Sequence, residues 1–255
     1  TNFYNYETLS GILAAASELN LPIILQLTKS SIDYMGLNMA VSMARTALKD
    51  YGVEGWLHLD HGDSTQLVKQ CLDSGFDSVM FDGSELPFER NIELTSEVVE
   101  MAGKYNTNVE AELGYVAKLG QSTEKMEFTR AEDARTFVEK TGVNALAVAI
   151  GTAHGFYKQK PKLDFDRLRQ INESTDAALV LHGGSGVPTE DVKKCIKLGV
   201  CKVNVATEIK NIFMLTLKNQ LLNTDEIDLR KVFPVATKAV TELVLGKLEM
   251  VNNKN

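Results

Sequence analysis

Residues 56–84 read WLHLDHGDSTQLVKQCLDSGFDSVMFDGS, and this stretch decides the class of fold. Two short apolar runs, 56–62 and 78–84, flank a segment, 65–74, whose apolar residues recur at the spacing of one helix face. Ser64, a residue type that caps helix N-termini, comes directly before that segment. Strand, helix and strand in this order form a βαβ unit with parallel strands. The stretch therefore predicts an α/β protein with a parallel sheet.

The same pattern recurs on both sides of this stretch. Five further apolar runs have strand character, and they are 22–28 (PIILQLT), 108–114 (NVEAELG), 145–151 (ALAVAIG), 178–184 (ALVLHGG) and 202–207 (KVNVAT). Helical periodicity is found in 7–20, 38–50, 91–105, 131–141, 164–174 and 189–198, the last with Thr189 as its expected cap.

The number of strands favours one of two architectures. Strands that are apolar along their whole length belong to a sheet covered on both faces, which is an open doubly wound sheet or a closed (β/α)8 TIM barrel. Seven candidate strands favour the barrel, and an eighth would come from the opening segment 1–4, so we expect the first strand to be truncated in this chain. A length of 255 residues suits a single barrel domain over 1–255.

The composition excludes several classes of protein. The formal net charge is −7 and the 27 lysines and arginines are scattered, which argues against a nucleic-acid partner. No apolar run approaches the roughly 18 residues of a membrane-spanning helix, so no membrane partner is expected. The cysteines, three in number and without a CxxC pair, indicate reduced thiols and a cytoplasmic protein.

Polar side chains gather at the carboxyl ends of the predicted strands, which converge on one face of a parallel barrel. Three of the four histidines are among them, namely His61, His154 and His182. Three imidazoles with an open fourth position form a common catalytic zinc site. The alternative for each is a hydrogen-bonded loop histidine. His58 lies one layer deeper than Asp60, and we expect it to pack in the core or to support a ligand.

Two further features carry chemistry. Asp60, directly before His61, is the candidate for proton transfer, and the alternative is that it orients a histidine or closes a turn. Gly183, Gly184 and Ser185 follow one predicted strand, and 204–207 end the next. Backbone amides freed by glycines form anion nests, and barrels often bind phosphate at these two places. The sequence therefore predicts an anion site there.

Seven strings, in this order, carry a family resemblance: NYETLSGILAAASE, LHLDHG, VMFDGS, VEAELG, LAVAIGTAHGFY, LVLHGGSGVP and KVNVATEIK. They resemble the zinc-dependent class II aldolases that act on ketose bisphosphates, and most closely the tagatose-bisphosphate aldolase branch. The resemblance implies a homodimeric or homotetrameric barrel enzyme that reversibly cleaves a ketose 1-phosphate or 1,6-bisphosphate, of tagatose or fructose type, to dihydroxyacetone phosphate and an aldehyde. It also implies a Zn2+ cofactor, and it leaves room for an assisting monovalent cation, Na+ or K+.

The resemblance also assigns roles to residues. It implies that His61, His154 and His182 bind zinc, that Asp60 handles the proton of the C4 hydroxyl group, and that Glu112 lies close to the metal. The residues implied to hold the substrate are Thr28, Gly155, Gly183, Gly184, Ser185, Asn204, Val205, Ala206 and Thr207.

Zinc suits this chemistry, because breaking a carbon–carbon bond beside a ketone leaves an enediolate that a Lewis acid stabilises. The other route is a Schiff-base lysine, which needs a lysine inside the barrel. Lys202 begins its predicted strand, so we expect it at the opposite end of the barrel.

The chain departs from the family pattern after the string ELG, where a Gly-Gly pair and acidic residues are usual. Glu124 is the nearest acidic candidate for moving the C–H proton of dihydroxyacetone phosphate, and a solvated surface charge is the alternative. Ala206 favours the tagatose branch. Lys210 and Arg230 resemble positions that bind the distal anion, a phosphate or a sulfonate, and each is equally well explained as a surface charge. A non-catalytic phosphosugar-binding subunit and a zinc-dependent phosphosugar epimerase stay open as other functions.

Overall fold

The computed structural model describes residues 1–114, 128–155, 157 and 159–252. These residues form an α/β fold whose seven strands follow chain order in the sheet, from β1 to β7. The strands are β1 Ile23–Leu27, β2 Gly55–Gly62, β3 Ser78–Phe81, β4 Asn108–Leu113, β5 Ala145–Val148, β6 Ala178–Leu181 and β7 Val200–Val203. The helices are α1 Tyr6–Leu19, α2 Lys29–Met35, α3 Leu37–Tyr51, α4 Thr65–Asp73, α5 Phe88–Gly103, α6 Ala131–Thr141, α7 Phe165–Ser174, α8 Thr189–Lys197, α9 Thr207–Leu222 and α10 Leu229–Val251.

The chain divides into two compact units, the first comprising Thr1–Leu57 with Ala206–Asn255 and the second comprising His58–Val205. In the second unit each strand pairs in parallel with the next one along the chain. The parallel α/β prediction is therefore confirmed, and each of the seven predicted strands is found. The last strand begins at Val200, two residues before the predicted start.

Alternation along β4 places two charged groups on one face of this sheet. Val109 and Ala111 are buried, as are Glu110 and Glu112, which are 3% and 2% exposed. Successive side chains of a strand point to opposite faces, so the two glutamates share one face and the two apolar residues share the other. Helix α5 packs on β4, as α4 packs on β3. The two glutamates are therefore a buried charged pair within the second unit.

Two helix N-caps were predicted in the second unit, and one of the two predictions is confirmed. Ser64 caps α4, its hydroxyl accepting from the Leu67 N–H at 3.4 Å, as predicted. The prediction that Thr189 caps α8 is wrong, because the helix already begins at Thr189 and its N-cap is Pro188, which makes no side-chain bond. Acidic residues in the first turn of α8 oppose the positive end of the helix dipole instead.

The first unit is built around α1. Asn5 and Thr8 form a reciprocal cap at its start, and α1 packs against α3 and α10. Gly11 permits close contact with α10, because a Cβ atom there would lie 2.8 Å from the Thr237 carbonyl oxygen. Of the expected eighth strand, the described residues show one isolated parallel bridge, from Asn2 to Gln26. None of the described helices has the length and apolarity needed to span a membrane.

Candidate metal centre and active site

The end of β2 is irregular, and this irregularity sets the direction of Asp60 and His61. The register of β2 against β3 shifts between Leu59 and Gly62. His61 has a φ of 52°, in the left-handed region that residues with a side chain rarely adopt. An irregularity of this kind re-aims side chains at the end of a strand, and backbone strain of this kind clusters at functional sites.

His61 lies next to two histidines from later loops, His154 after β5 and His182 after β6. Its ring centroid is 5.0 Å from that of His154 and 4.8 Å from that of His182, and the other two centroids are 5.8 Å apart. The potential ligand atoms of the three rings and of Glu112 all lie within 4.8 Å of one another. Imidazoles with a carboxylate are a donor set that zinc and related divalent ions accept. These four residues could therefore hold a metal ion.

Asp82, at the end of β3, orients His61. Its Oδ2 atom lies 2.7 Å from Nδ1 of His61, and because a carboxylate only accepts, the ring donates there and keeps Nε2 for a ligand. Ser84 holds the other carboxylate oxygen through its N–H and its hydroxyl, at 3.1 and 2.7 Å. Burial alone lowers the pKa of His61, but the Asp82 hydrogen bond and the charge of Asp60 raise it above its usual value.

His182 is fully buried between two glutamates of β4. Its Nε2 atom donates to Oε1 of Glu110 at 2.8 Å. Its Nδ1 atom lies 3.2 Å from Oε2 of Glu112 and forms no hydrogen bond with a described residue. In the neutral ring this atom has a lone pair that faces a carboxylate oxygen, which is unfavourable unless a proton or a metal cation lies between them.

The charges around His182 favour such a cation. Burial alone lowers the pKa of His182, but the carboxylates of Glu110 and Glu112 raise it to about 10. The negative field that retains a proton on this ring also attracts a metal ion, and metal binding releases the proton. The buried Nδ1 atom and its surroundings therefore fit a divalent cation.

His154 is held neutral. Burial, with the neighbouring rings of His61 and His182, lowers the pKa of His154 to about 3. A neutral imidazole keeps a lone pair, which a metal ligand requires. The three histidines therefore share one candidate metal site but have different pKa values, because each ring has different neighbours.

Tyr157 and Gly183 connect the loop after β5 with the loop after β6. The Tyr157 hydroxyl accepts from the Ala153 N–H at 2.7 Å and donates to the Gly183 carbonyl at 2.9 Å. Gly183 has a φ of 66°, and a Cβ atom there would lie 2.5 Å from the Ala153 carbonyl oxygen, so only glycine permits this approach. Gly184 donates its N–H to the Asn204 carbonyl at 3.0 Å, which fixes the loop to the end of β7.

Asp60 is 5% exposed beside this group of ligand atoms. Its Oδ1 atom lies 3.9 Å from Nε2 of His61 and accepts from Nδ2 of Asn204 at 3.4 Å. The Oδ1 atom of Asn204 is buried and forms no hydrogen bond with a described residue. A buried acceptor of this kind suits a ligand hydroxyl group.

The other residues predicted for substrate binding are divided between the units. In the second unit, Gly155 follows His154 with a φ of 116°, and Ser185 and Val205 are buried. Glu124, the candidate for the C–H proton, lies outside the described residues.

In the first unit, Thr28 caps α2, its hydroxyl accepting from the Ser31 N–H at 3.4 Å. Ala206 is the N-cap of α9, and Thr207 is its first residue. Nζ of Lys210 lies 5.3 Å from the centre of the Tyr4 ring. The side chain of Arg230 is 90% exposed, and its guanidinium pairs with Asp228 at 2.9 Å.

The structure adds functional neighbours to which the sequence assigned no role. Glu110 and Asp82 were visible only as polar residues at strand ends, although the pattern Glu-x-Glu does place Glu110 and Glu112 on one face of β4. The expectation that Lys202 lies at the opposite end of the barrel is wrong. Because β7 begins at Val200, Lys202 is its third residue, and its Nζ atom lies 2.8 Å from Oε2 of Glu110.

Comparison with known proteins gives consistent matches. The model of the class II fructose-bisphosphate aldolase family matches residues 1–255. The chain is similar to the YdjI aldolase from Escherichia coli K12, with 31% identity and a TM-score of 0.86 over 100% of this chain and 90% of that one. It is similar to a putative fructose-1,6-biphosphate aldolase from Coccidioides immitis, with 30% identity and a TM-score of 0.88 over 98% of this chain and 89% of that one. A fructose-bisphosphate aldolase from Campylobacter jejuni, 21% identical with a TM-score of 0.82 over 100% of this chain and 90% of that one, shares the fold.

Proposed function

The chain belongs to the class II fructose-bisphosphate aldolase family, and we propose that it is a zinc-dependent aldolase that reversibly cleaves a ketose 1-phosphate or 1,6-bisphosphate, of tagatose or fructose type. The products of cleavage are dihydroxyacetone phosphate and an aldehyde. Membership makes the protein a metal-dependent carbon–carbon lyase with a phosphorylated sugar substrate. The observation that carries the proposal is the convergence of His61, His154, His182 and Glu112 within 4.8 Å.

In this proposal His61, His154 and His182 would hold the zinc ion, and Glu112 would lie close to it. When bound, the cation supplies Lewis-acid stabilisation of the negative charge that develops as the carbon–carbon bond breaks. Asp60 removes the proton of the C4 hydroxyl group during cleavage and returns it during condensation. The Asn204 amide supports this role because it donates to Asp60 at 3.4 Å and so restricts the direction of the carboxylate.

The environment of Asp60 also supports its role as a base. The side chain is almost fully buried, so bulk water competes little for its oxygen atoms. A proton acceptor must lie within hydrogen-bonding reach of the proton that it takes. Its Oδ1 atom is 3.9 Å from the ligand nitrogen of His61, which places the carboxylate next to any sugar oxygen held at the metal point.

Several finer assignments are part of the proposal. The residues assigned to bind the anion of the substrate are Gly155, Gly183, Gly184, Ser185, Asn204 and Val205. The roles given to six other residues stay predictions, and these are Thr28, Ala206, Thr207, Lys210, Arg230 and Glu124. The eight-stranded (β/α)8 barrel is supported by the parallel bridge between Asn2 and Gln26. The cytoplasmic location is supported by three free cysteines. A monovalent cation and a single domain over 1–255 stay predictions.

A homodimer or homotetramer is also proposed. Large apolar side chains are exposed from the end of α9 to the first residue of α10, and these are Leu221, Leu222, Ile227 and Leu229, which are 54–91% exposed. Such a group is unfavourable in water and suits an interface with a second copy. Light scattering after size exclusion tests this: the wild type is expected to be oligomeric, and a Leu222→Lys, Ile227→Lys double variant is expected to shift towards monomer. A monomeric wild type would contradict it.

The proposed activity is tested with purified protein of measured metal content. The substrates are tagatose 1,6-bisphosphate, fructose 1,6-bisphosphate, a ketose 1-phosphate, and a ketose 1-phosphate with a distal sulfonate. Release of dihydroxyacetone phosphate that stops on chelation and returns with zinc supports the proposal, and the four rates rank the substrates. Metal-bound protein that releases no triose phosphate from any of them would overturn it and favour an epimerase or a binding subunit.

The Asp60→Ala variant tests the proton transfer. We expect it to retain metal and to lose about two to four orders of magnitude in kcat, the usual effect of removing a general acid or base. Asp63→Ala is the matched control, because Asp63 lies three residues further on and is exposed. Near-normal cleavage by Asp60→Ala would show that another group moves the proton.

A further inference from the structure

Lys202 is a partly buried lysine to which the proposed reaction assigns no role. It lies on β7 with its side chain only 14% exposed, and its Nζ atom is 2.8 Å from Oε2 of Glu110. Burial of an ammonium group is unfavourable unless it is paired and hydrogen-bonded. Its hydrogen bond to the Glu110 carboxylate directs Nζ at that side chain.

The two carboxylate oxygen atoms of Glu110 have different hydrogen-bond partners. Oε1 of Glu110 accepts from Nε2 of His182 at 2.8 Å, whereas Oε2 is held by Lys202. A second imidazole, that of His58, has its Nε2 atom 3.5 Å from the same Oε2. Two buried imidazoles therefore lie close to one carboxylate. The orientation of that carboxylate determines from which ring it accepts a hydrogen bond.

The orientation of the His182 ring depends on the orientation of the Glu110 carboxylate. While its Nε2 atom donates to Glu110, its Nδ1 atom points at Glu112 and at the ligand atoms of the other histidines. Loss of the hold on Oε2 frees the carboxylate to turn towards His58. The ring of His182 then loses the acceptor that fixes both its tautomer and its direction.

We propose that Lys202 is a positioning residue for the metal centre: it holds one oxygen of Glu110 so that the other orients His182 with Nδ1 towards the metal. This inference rests on the metal centre of the proposed function. The connection runs from β7 through β4 to the end of β6, three strands whose residues meet only in the folded sheet. Lys202 acts through Glu110 and touches neither the metal nor the sugar.

The test compares the zinc affinity of four full-length proteins by competition with a chelator, in the absence of sugar. Lys202→Met removes the charge and nearly preserves the volume, and Lys202→Arg preserves the charge. Lys69→Met is the matched control, because Lys69 pairs with Asp73 at 2.7 Å on the surface of α4. We expect the zinc dissociation constant of Lys202→Met to rise about 10- to 100-fold, with Lys202→Arg partly rescued and Lys69→Met unchanged.

A double-mutant cycle separates positioning from general stability. The Gln side chain of Glu110→Gln can still accept from His182 and has no charge for a lysine to hold, so Lys202→Met is expected to have little further effect on zinc affinity in that background. Equal effects of Lys202→Met in both backgrounds would overturn the inference. The visible absorption of bound Co2+ provides a second readout, and its bands are expected to change in Lys202→Met but not in Lys69→Met.

The outcomes for this inference and for the aldolase function are distinguishable. Folded Lys202→Met that binds zinc as the wild type does would overturn the inference and leave the function intact. If Lys202→Met does not fold, Lys202→Gln is measured in its place under the same criterion. A wild type that binds zinc and cleaves no sugar would overturn the function, while the zinc comparison still decides the inference. A wild type that binds no zinc would overturn both.

Discussion

Removal of the Tyr157 hydroxyl group tests the connection between the two loops that carry His154 and His182. This hydroxyl accepts from the Ala153 N–H at 2.7 Å and donates to the Gly183 carbonyl at 2.9 Å. Burial raises the pKa of Tyr157, so the group stays protonated and continues to donate. Tyr157→Phe keeps the ring in place and removes only these two bonds.

The expected loss of unfolding free energy follows from the two groups left without a partner, the Ala153 N–H and the Gly183 carbonyl. Ala153 is 4% exposed, so water replaces the lost partner poorly, and a buried unsatisfied group costs about 1–3 kcal/mol. The two lost bonds together should reduce the free energy of unfolding by about 2–4 kcal/mol. At about 2–4 °C per kcal/mol for a domain of this size, Tm should fall by about 4–16 °C.

Calorimetry and urea unfolding of the metal-free protein measure this change, and Tyr105→Phe is the matched control. The Tyr105 hydroxyl donates to Asp73 at 2.6 Å on the surface, where water can replace it, so its loss should cost less than about 1 kcal/mol. Equal Tm values for Tyr157→Phe and wild type would refute the reasoning. So would a loss as large in Tyr105→Phe as in Tyr157→Phe.

Two more variants test the orientation of His61 and the close approach of Gly183 to Ala153. Asp82→Asn removes the charge but little of the volume beside Nδ1 of His61, and the zinc dissociation constant from a chelator competition should rise about 10-fold or more; unchanged affinity would contradict the orienting role. Gly183→Ala places a Cβ atom 2.5 Å from the Ala153 carbonyl oxygen at a φ of 66°, whereas Gly75→Ala, at a φ of 81°, meets nothing within 4 Å. Urea unfolding should show about 1 kcal/mol lost at Gly75, from backbone strain alone, and at least about 2–3 kcal/mol at Gly183; equal losses would contradict the close approach.

The sequence alone determined the elements and the identity of the candidate ligands. Apolar periodicity is a local property, so the seven strands could be located from it, and the prediction for α6, residues 131–141, matches the observed helix at both ends. Histidines after separate parallel strands were expected to converge, because the carboxyl ends of parallel strands share one edge. The observed centroid distances of 4.8–5.8 Å agree with that expectation.

The tertiary structure alone decided how these residues are held. Lys202 and Glu110 are 92 positions apart in the chain, and no local pattern indicates that they meet. The left-handed backbone of His61 arises where β2 and β3 fall out of register, and the bond from Tyr157 to Gly183 depends on the approach of two loops. Periodicity specifies which face of a strand a side chain occupies, whereas the partner of that side chain is set by register and loop geometry, which exist only once the strands have paired.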